Sequence, residues 1–258
     1  MENHLFTELR DRWKNFIKEP GKEGYNIDIQ TRFPFLPYFE NNEVAFAILN
    51  NITFETEYHS QNYFDVLGLD KEVFEKKGTT TFIEAVDKSH ENYFTLLPNY
   101  FEQYWYSTTD EKKKYLNRTT VGLSFHHKDK GIIRLLIQTN ILEVNSFLAP
   151  TYIFVLYHDI TYMMKDNFYW FRFTDSDKTG KTFTYHDGLK EVLKDDIIST
   201  REKEILRLII DGKSTDEIAK TLFISKITVN NHRQNMLNRV GVKDTTALIT
   251  IAKLCKLV

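Results

Sequence analysis

Ile198-Ser-Thr-Arg-Glu-Lys-Glu-Ile-Leu-Arg, Asp211-Gly-Lys-Ser-Thr-Asp-Glu-Ile-Ala-Lys and Ser225-Lys-Ile-Thr-Val-Asn-Asn-His-Arg-Gln-Asn-Met-Leu-Asn-Arg-Val-Gly-Val follow one another closely, and each opens with helix-start chemistry. Thr200 stands where a cap belongs. Behind it Ile205, Leu208 and Ile209 fall on one face, and Glu202 and Glu204 put acid in the first turn, where the helix dipole favours it. Gly212 suits the residue just past the helix end. Ser214 and Glu217 make a Ser-x-x-Glu capping box for a second helix that turns Ile218, Ala219 and Leu222 inward. Ser225 caps a third helix reaching Val240, and Gly241 ends it. A fourth starts at Asp244 and buries Ala247, Leu248, Ile251 and Leu254. The spacing predicts three short helices with tight connections plus a supporting helix.

The third helix carries the chemistry. At about 100° per residue, Val229, Met236, Leu237 and Val240 gather on one side, while Asn230, Asn231, Gln234 and Asn238 gather on the other. An amide presents a donor and an acceptor side by side, which matches the N6/N7 edge of adenine in the major groove. Lys226, His232 and Arg239 flank the stripe and suit phosphate.

The whole stretch resembles the LuxR-type helix-turn-helix. Ile205, Leu208, Gly212, Ile218, Ala219, Leu222, Ser225, Thr228, Val229, His232 and Gly241 all fall where that family's motif has them. The resemblance implies that Asn230, Asn231 and Gln234 approach bases, and that Lys226, Thr228, His232 and Arg239 support or touch the DNA backbone. Two positions depart from the pattern. Asp216 stands where relatives often carry Lys, and Thr245 lies near a usual Arg. An acid at the start of the second helix repels phosphate. Amides at base-reading positions also mean that no target sequence can be borrowed.

Charge is divided along the chain. From Ile197 onward 11 Lys and Arg face 6 Asp and Glu, whereas the remainder holds 23 basic and 30 acidic residues. A basic end on an acidic body fits a nucleic-acid module joined to a sensing or interaction module. The single cysteine, Cys255, excludes an internal disulfide and a multi-cysteine zinc site. No apolar run long enough to span a membrane and no secretory leader is read, so a cytoplasmic protein is expected.

Upstream, residues 1–19 read as an amphipathic helix with Leu5, Phe6, Leu9, Trp13, Phe16 and Ile17 on one face, ended by Pro20-Gly21. From Asn42 the pattern is two short strands (Val44 to Leu49, Thr53 to Tyr58) and then a small helix from Ser60 ending at Gly68. A helical middle (Phe82 to Tyr106) and three strands (Thr119 to His126, Ile132 to Ile141, Tyr152 to Tyr157) come next, with Lys128-Asp129-Lys130-Gly131 as a turn. That order, with its Leu67-Gly68 and its closing Asp159-Ile160-Thr161, resembles a PAS domain. A different α+β ligand or interaction domain stays open. Phe168 to Tyr185 reads as a β-hairpin, and Lys190 to Asp196 as a charged link without heptads.

The expected architecture is therefore α+β: a connector (1–40), a PAS-like antiparallel sheet with helices (41–162), a hairpin and linker (163–196), and an all-α four-helix helix-turn-helix domain (197–258). Of the histidines, His126 and His127 point to opposite faces of a strand, His158 has a plain hydrogen-bonding role, and His90 belongs on the surface. No metal, cofactor or catalytic constellation is read. Gly-rich phosphate loops are absent, and so is the acidic order of a phosphorylated receiver. The aromatics of the front domain are core residues that leave room for a small apolar or aromatic ligand. The expectation is a homodimeric regulator that binds double-stranded DNA as paired half-sites. Two alternatives stand beside it: an interaction module whose helix-turn-helix has lost DNA, and a haem or small-ligand sensor with a secondary DNA role.

Overall fold

The structure is a computed structural model that describes residues 44–107, 118–145, 148–165, 170–174, 182–186, 191–193 and 197–258, with the single positions Thr7, Arg10, Asp11, Asn15 and Leu36. The apolar stripe expected over 1–19, the Pro20-Gly21 stop and the hairpin turn at 175–181 lie outside these residues. Two compact units divide the chain, one holding Met1–Asp159 with Phe173–Gly180, the other Ile160–Arg172 with Lys181–Val258. Among the described residues no helix is long and apolar enough to cross a membrane.

The first unit is an antiparallel sheet with helices inserted between its second and third strands. Its elements are β1 (Ala45–Asn50), β2 (Glu55–His59), α1 (Tyr63–Leu67), α2 (Lys71–Lys77), α3 (Thr80–Ala85), a 3-10 turn at Lys88–His90, α4 (Glu91–Ser107), β3 (Arg118–His127), β4 (Gly131–Val144) and β5 (Pro150–Asp159). Within the unit the strands lie in the order β2-β1-β5-β4-β3. The strand and helix order expected from the sequence is therefore present, with α2 added. Asp70 accepts a hydrogen bond from the Val73 amide and so caps α2, a start signal that the sequence reading passed over. Central β1 is buried on nearly every residue because β5 flanks it on one side and β2 on the other.

The β1–β2 connection is built by Asn50, whose side-chain oxygen accepts from the amides of Ile52 and Thr53. Asn side chains mimic a backbone turn in this way. Gly68 ends α1 in the left-handed region at φ 61°, and a Cβ there would lie 2.2 Å from His127 Cγ. The His127 ring is locked: Nδ1 accepts from the amides of Asp129 and Lys130, each at 3.1 Å, and Nε2 donates to the Asp65 carbonyl. One imidazole thereby ties the β3–β4 turn to α1. Its neighbour His126 faces outward and reaches Asp87 at 3.0 Å, the opposite orientation that strand pleating requires. His158 meets Gln138 at 3.1 Å.

His90 departs from expectation. It is fully buried rather than on the surface. Burial drives its pKa down to about 3, with Asp87 opposing and Arg134 reinforcing that shift, so the ring is neutral. The 3-10 turn at Lys88–His90 turns the side chain inward, which a helical periodicity argument had no means to foresee.

β6 (Trp170–Thr174) begins in the second unit, which also holds β7 (Thr182–His186), β8 (Glu191–Leu193), α5 (Thr200–Ile210), α6 (Thr215–Leu222), α7 (Lys226–Val240) and α8 (Thr245–Leu254). The expected hairpin forms, with Trp170 opposite Thr184 and Arg172 opposite Thr182. The charged link is partly a strand: β8 pairs with β7 through Tyr185 and Val192. Alternating sequence is too short there, at three residues, to announce a strand.

Residues between β5 and the hairpin belong to the helical unit. Met163 and Met164 are buried, the Lys165 amide donates to the Gly241 carbonyl at 2.8 Å, and the Lys243 amide donates to the Met163 carbonyl at 2.9 Å. Arg172 is buried on β6, and its guanidinium donates to the carbonyls of Cys255 and Lys256 at the end of α8. A cation at a helix C-terminus satisfies carbonyls that have no partner inside the helix.

Candidate nucleic-acid interface

The four helices are started by side-chain caps. Ser199, not Thr200, caps α5; its hydroxyl accepts from the Glu202 amide while Glu202 reaches back to the Ser199 amide at 2.8 Å. Leu206 is buried beside Ile205 and Ile209, while Leu208, expected on that face, is half-buried. The reciprocal box at Ser214 and Glu217 opens α6 as the sequence predicts. Those hydrogen bonds from the Ser214 amide and hydroxyl hold the Glu217 carboxylate below its usual pKa. Ser225 caps α7, Asp244 caps α8, and Gly241 at φ 75° closes α7 in a conformation that a Cβ would strain.

α7 lies against the unit with Val229, Met236 and Val240 buried and Leu237 half-buried. Asn230, Asn231, Gln234 and Asn238 are exposed, so the amide stripe faces away from the core. The Gln234 amide nitrogen donates to the Asn238 oxygen at 3.0 Å, one turn along the same face. This bond ties the two amide side chains together on the exposed face. Arg233 bonds the Thr215 hydroxyl at 3.3 Å and Arg201 bonds the Leu222 carbonyl at 2.7 Å, which fasten α7 and α5 to α6.

The flanking residues divide by environment. Lys226 is exposed at the first turn of α7 and pairs with Asp216 Oδ2 at 2.7 Å. Thr228 is half-buried, and its hydroxyl lies 2.8 Å from that of Ser225. His232 is half-buried. Arg239 is turned toward α5: its guanidinium donates to Glu202 at 2.6 Å and to the Ile197 carbonyl at 3.3 Å. Burial alone raises the pKa of the Glu202 carboxyl. The Ser199 amide and hydroxyl and the Arg239 guanidinium outweigh it and hold the group below its ordinary value. Arg239 thus has an internal electrostatic role that the sequence did not show, since Glu202 is 37 positions away.

Asp216, the departure from the family pattern, has a cationic partner on α7, Lys226. The pair is locally neutral. Two further exposed side chains were overlooked in the sequence: Phe223, at 94% exposure and φ 54°, and Ile227, at 72%. The signal for Ile227 was its spacing of three, four and seven from Asn230, Asn231 and Gln234.

In the first unit, a cavity of about 230 Å³ opens between the sheet and α3–α4. Phe82, Phe101, Val121 and Ile137 line it, and Tyr63 and Tyr157 share a hydroxyl hydrogen bond at its wall. Burial pushes both phenols above their ordinary pKa, so both are neutral. Three threonines and Asn51 supply its other polar groups, and none of the described residues that line it is charged.

Residues 196–252 match the family described as bacterial regulatory proteins, luxR family. The spore germination protein GerE of Bacillus subtilis is 43% identical over 54 residues, which are 21% of this chain and 73% of GerE. The transcriptional regulatory protein MctR of Rhizobium johnstonii is 42% identical over 57 residues, 22% of this chain and 27% of MctR. The likeness to GerE thus spans most of that protein, whereas this chain spans about a quarter of MctR. A solved VqmA dimer of Vibrio cholerae aligns over 87% of this chain and 88% of its own, at 16% identity and a TM-score of 0.32; a likeness that distant decides nothing here.

Proposed function

This chain belongs to the luxR family of bacterial regulatory proteins, and from that premise we propose that it is a sequence-specific, cytoplasmic DNA-binding transcription regulator. The observation that carries the reading is α7, which buries Val229, Met236 and Val240 and turns four amides outward beside Lys226. In the proposed complex Asn230, Asn231 and Gln234 read base edges, while Lys226, Thr228 and His232 serve the backbone. Arg239 serves it indirectly, by holding α5 against the reading helix. The Asp216–Lys226 pair reduces, without abolishing, the cost of an acid at α6 beside DNA.

The front unit is proposed to be a PAS-like sensor. Its support is the succession of two strands, a small helix ending at Leu67-Gly68, a helical middle and three strands closing the sheet. The cavity suits an uncharged, largely apolar small molecule. At about 230 Å³ it lies just under the range of about 300–1,000 Å³ usual for drug-sized ligands. β5 runs directly into the segment whose Met163–Lys165 backbone pairs with Gly241–Lys243, the loop after the reading helix. That covalent route stands in for the heptad helix that the chain does not show.

We take the working form to be a homodimer on two-fold half-sites, because one module offers few base contacts. The test is duplex DNA binding by the full chain across a salt series, together with sedimentation. Affinity falling steeply with rising salt, from a dimeric species, is expected. Absence of duplex binding at low salt refutes the DNA reading. A monomer that binds a selected operator tightly refutes the dimer. Trp13→Asp with Phe16→Asp lowers dimer content and operator affinity together if the N-terminal stripe is the contact.

A further inference from the structure

Among the described residues six large apolar side chains are exposed, and two of them, Phe223 and Ile227, lie within five positions at the entrance to α7. A scattered apolar residue on a surface needs no explanation. Two together beside the reading face do, because this is the surface that the proposed function turns toward DNA. Ile is also a poorer choice than Lys, Glu or Ala in an exposed first helical turn, since its branched Cβ restricts the side chain there. Ile227 has no packing to compensate: it is 72% exposed, whereas Val229, two positions on, is fully buried.

Position is the second observation. Ile227 precedes Asn230, Asn231 and Gln234 by three, four and seven residues, so it leads the same face of α7. Its neighbour Lys226 is the residue proposed above to serve the backbone at this end of the helix. The amides are matched to adenine, whose partner thymine projects a C5-methyl group into the same groove. An aliphatic side chain at the leading end of the stripe is the complement of that methyl and of no donor or acceptor. Phe223 sits in the α6–α7 turn with a left-handed backbone, outside the helix and off this stripe.

We propose that Ile227 is a specificity-determining residue that reads a thymine methyl group in each half-site. The proposal rests on the DNA-binding reading. Ile227 removes methyl surface from water and leaves cytosine at that position without a contact. Replacing thymine by uracil there deletes only the methyl, and the loss expected for one buried methyl is about three- to fivefold in affinity.

The experiment uses the full chain and a duplex selected from random DNA. Each thymine of the site is replaced singly by uracil, and binding is measured for the unmodified chain, Ile227→Ala and Asn231→Ala. The expected result is one uracil position per half-site that weakens the unmodified chain three- to fivefold. Ile227→Ala binds thymine and uracil there equally, while Asn231→Ala keeps the ratio. The exposure of Ile227 makes the Ala variant fold normally, which its circular dichroism and Tm report. An Ile227→Ala chain that retains the thymine-to-uracil ratio overturns the assignment, and so does a selected site with no methyl-sensitive position. A chain that selects no duplex at all overturns the DNA-binding reading and this assignment with it.

Discussion

Asp216→Asn should tighten DNA binding, the opposite of what an ordinary surface substitution does. Lys226 Nζ lies 2.7 Å from Asp216 Oδ2, with the side chains 64% and 56% exposed. A pair this wet is worth about 0.5 kcal/mol, which is lost when Lys226 turns to a phosphate. The freed carboxylate then faces that phosphate. Unit charges about 6 Å apart in water repel by about 0.7 kcal/mol. Removing both costs gives about 1.2 kcal/mol, or roughly eightfold in Kd at low salt. At about 0.15 M salt the repulsion is screened by about half, and the gain falls to about fourfold. The salt dependence should steepen by up to about 0.9 in the logarithmic slope, as for one more neutralised phosphate. Fluorescence anisotropy with a labelled duplex at several salt concentrations reads both quantities. Repeating Asp216→Asn on Lys226→Ala isolates the pair, where the benefit should shrink by about 0.5 kcal/mol. An affinity unchanged within twofold at low salt would refute the reasoning. Weaker binding would show instead that Asp216 positions Lys226 for its contact.

Asn231→Ala and Gln234→Ala should each lose about 1–3 kcal/mol of discrimination at a contacted base, whereas Lys226→Ala should weaken all duplexes alike; parallel behaviour of the two groups in a binding-specificity profile contradicts the assignment. Arg239→Ala leaves the buried Glu202 carboxylate without its cation and should destabilise the helical unit by about 2 kcal/mol, measured by urea unfolding at pH 7. The folded Glu202 pKa is depressed, so its stabilisation is present above its unfolded value near 4.5 and is lost as pH falls through the folded one. The deficit of Glu202→Gln should therefore close as pH falls below the folded pKa of Glu202; a deficit that persists in strong acid argues for a packing effect. Gly68→Ala combines a left-handed backbone with a Cβ 2.2 Å from His127 Cγ, and should cost about 3 kcal/mol in thermal unfolding. A loss under about 0.5 kcal/mol would mean that the His127 tie is dispensable.

The helical module was legible because its signals are local. A serine three residues before a glutamate, a glycine past a helix end and an apolar period of 3.6 each act within a few residues. They located α6, α7, α8 and the outward amides without reference to any distant part of the chain. The strand order along the front unit was legible for the same reason, since alternation and turn residues report on their own segment. Errors arose where two local signals competed. Ser199 and Thr200 are both good caps, and the reciprocal bonds with Glu202, three residues past Ser199, select Ser199. Tertiary structure alone decided what depends on distant residues: His90 becoming buried and neutral, Arg239 pairing with Glu202, Lys226 pairing with Asp216, and Met163–Lys165 joining the loop after α7. Electrostatic and desolvation energies are set by separation in space. Positions tens of residues apart in sequence leave no local pattern of being neighbours.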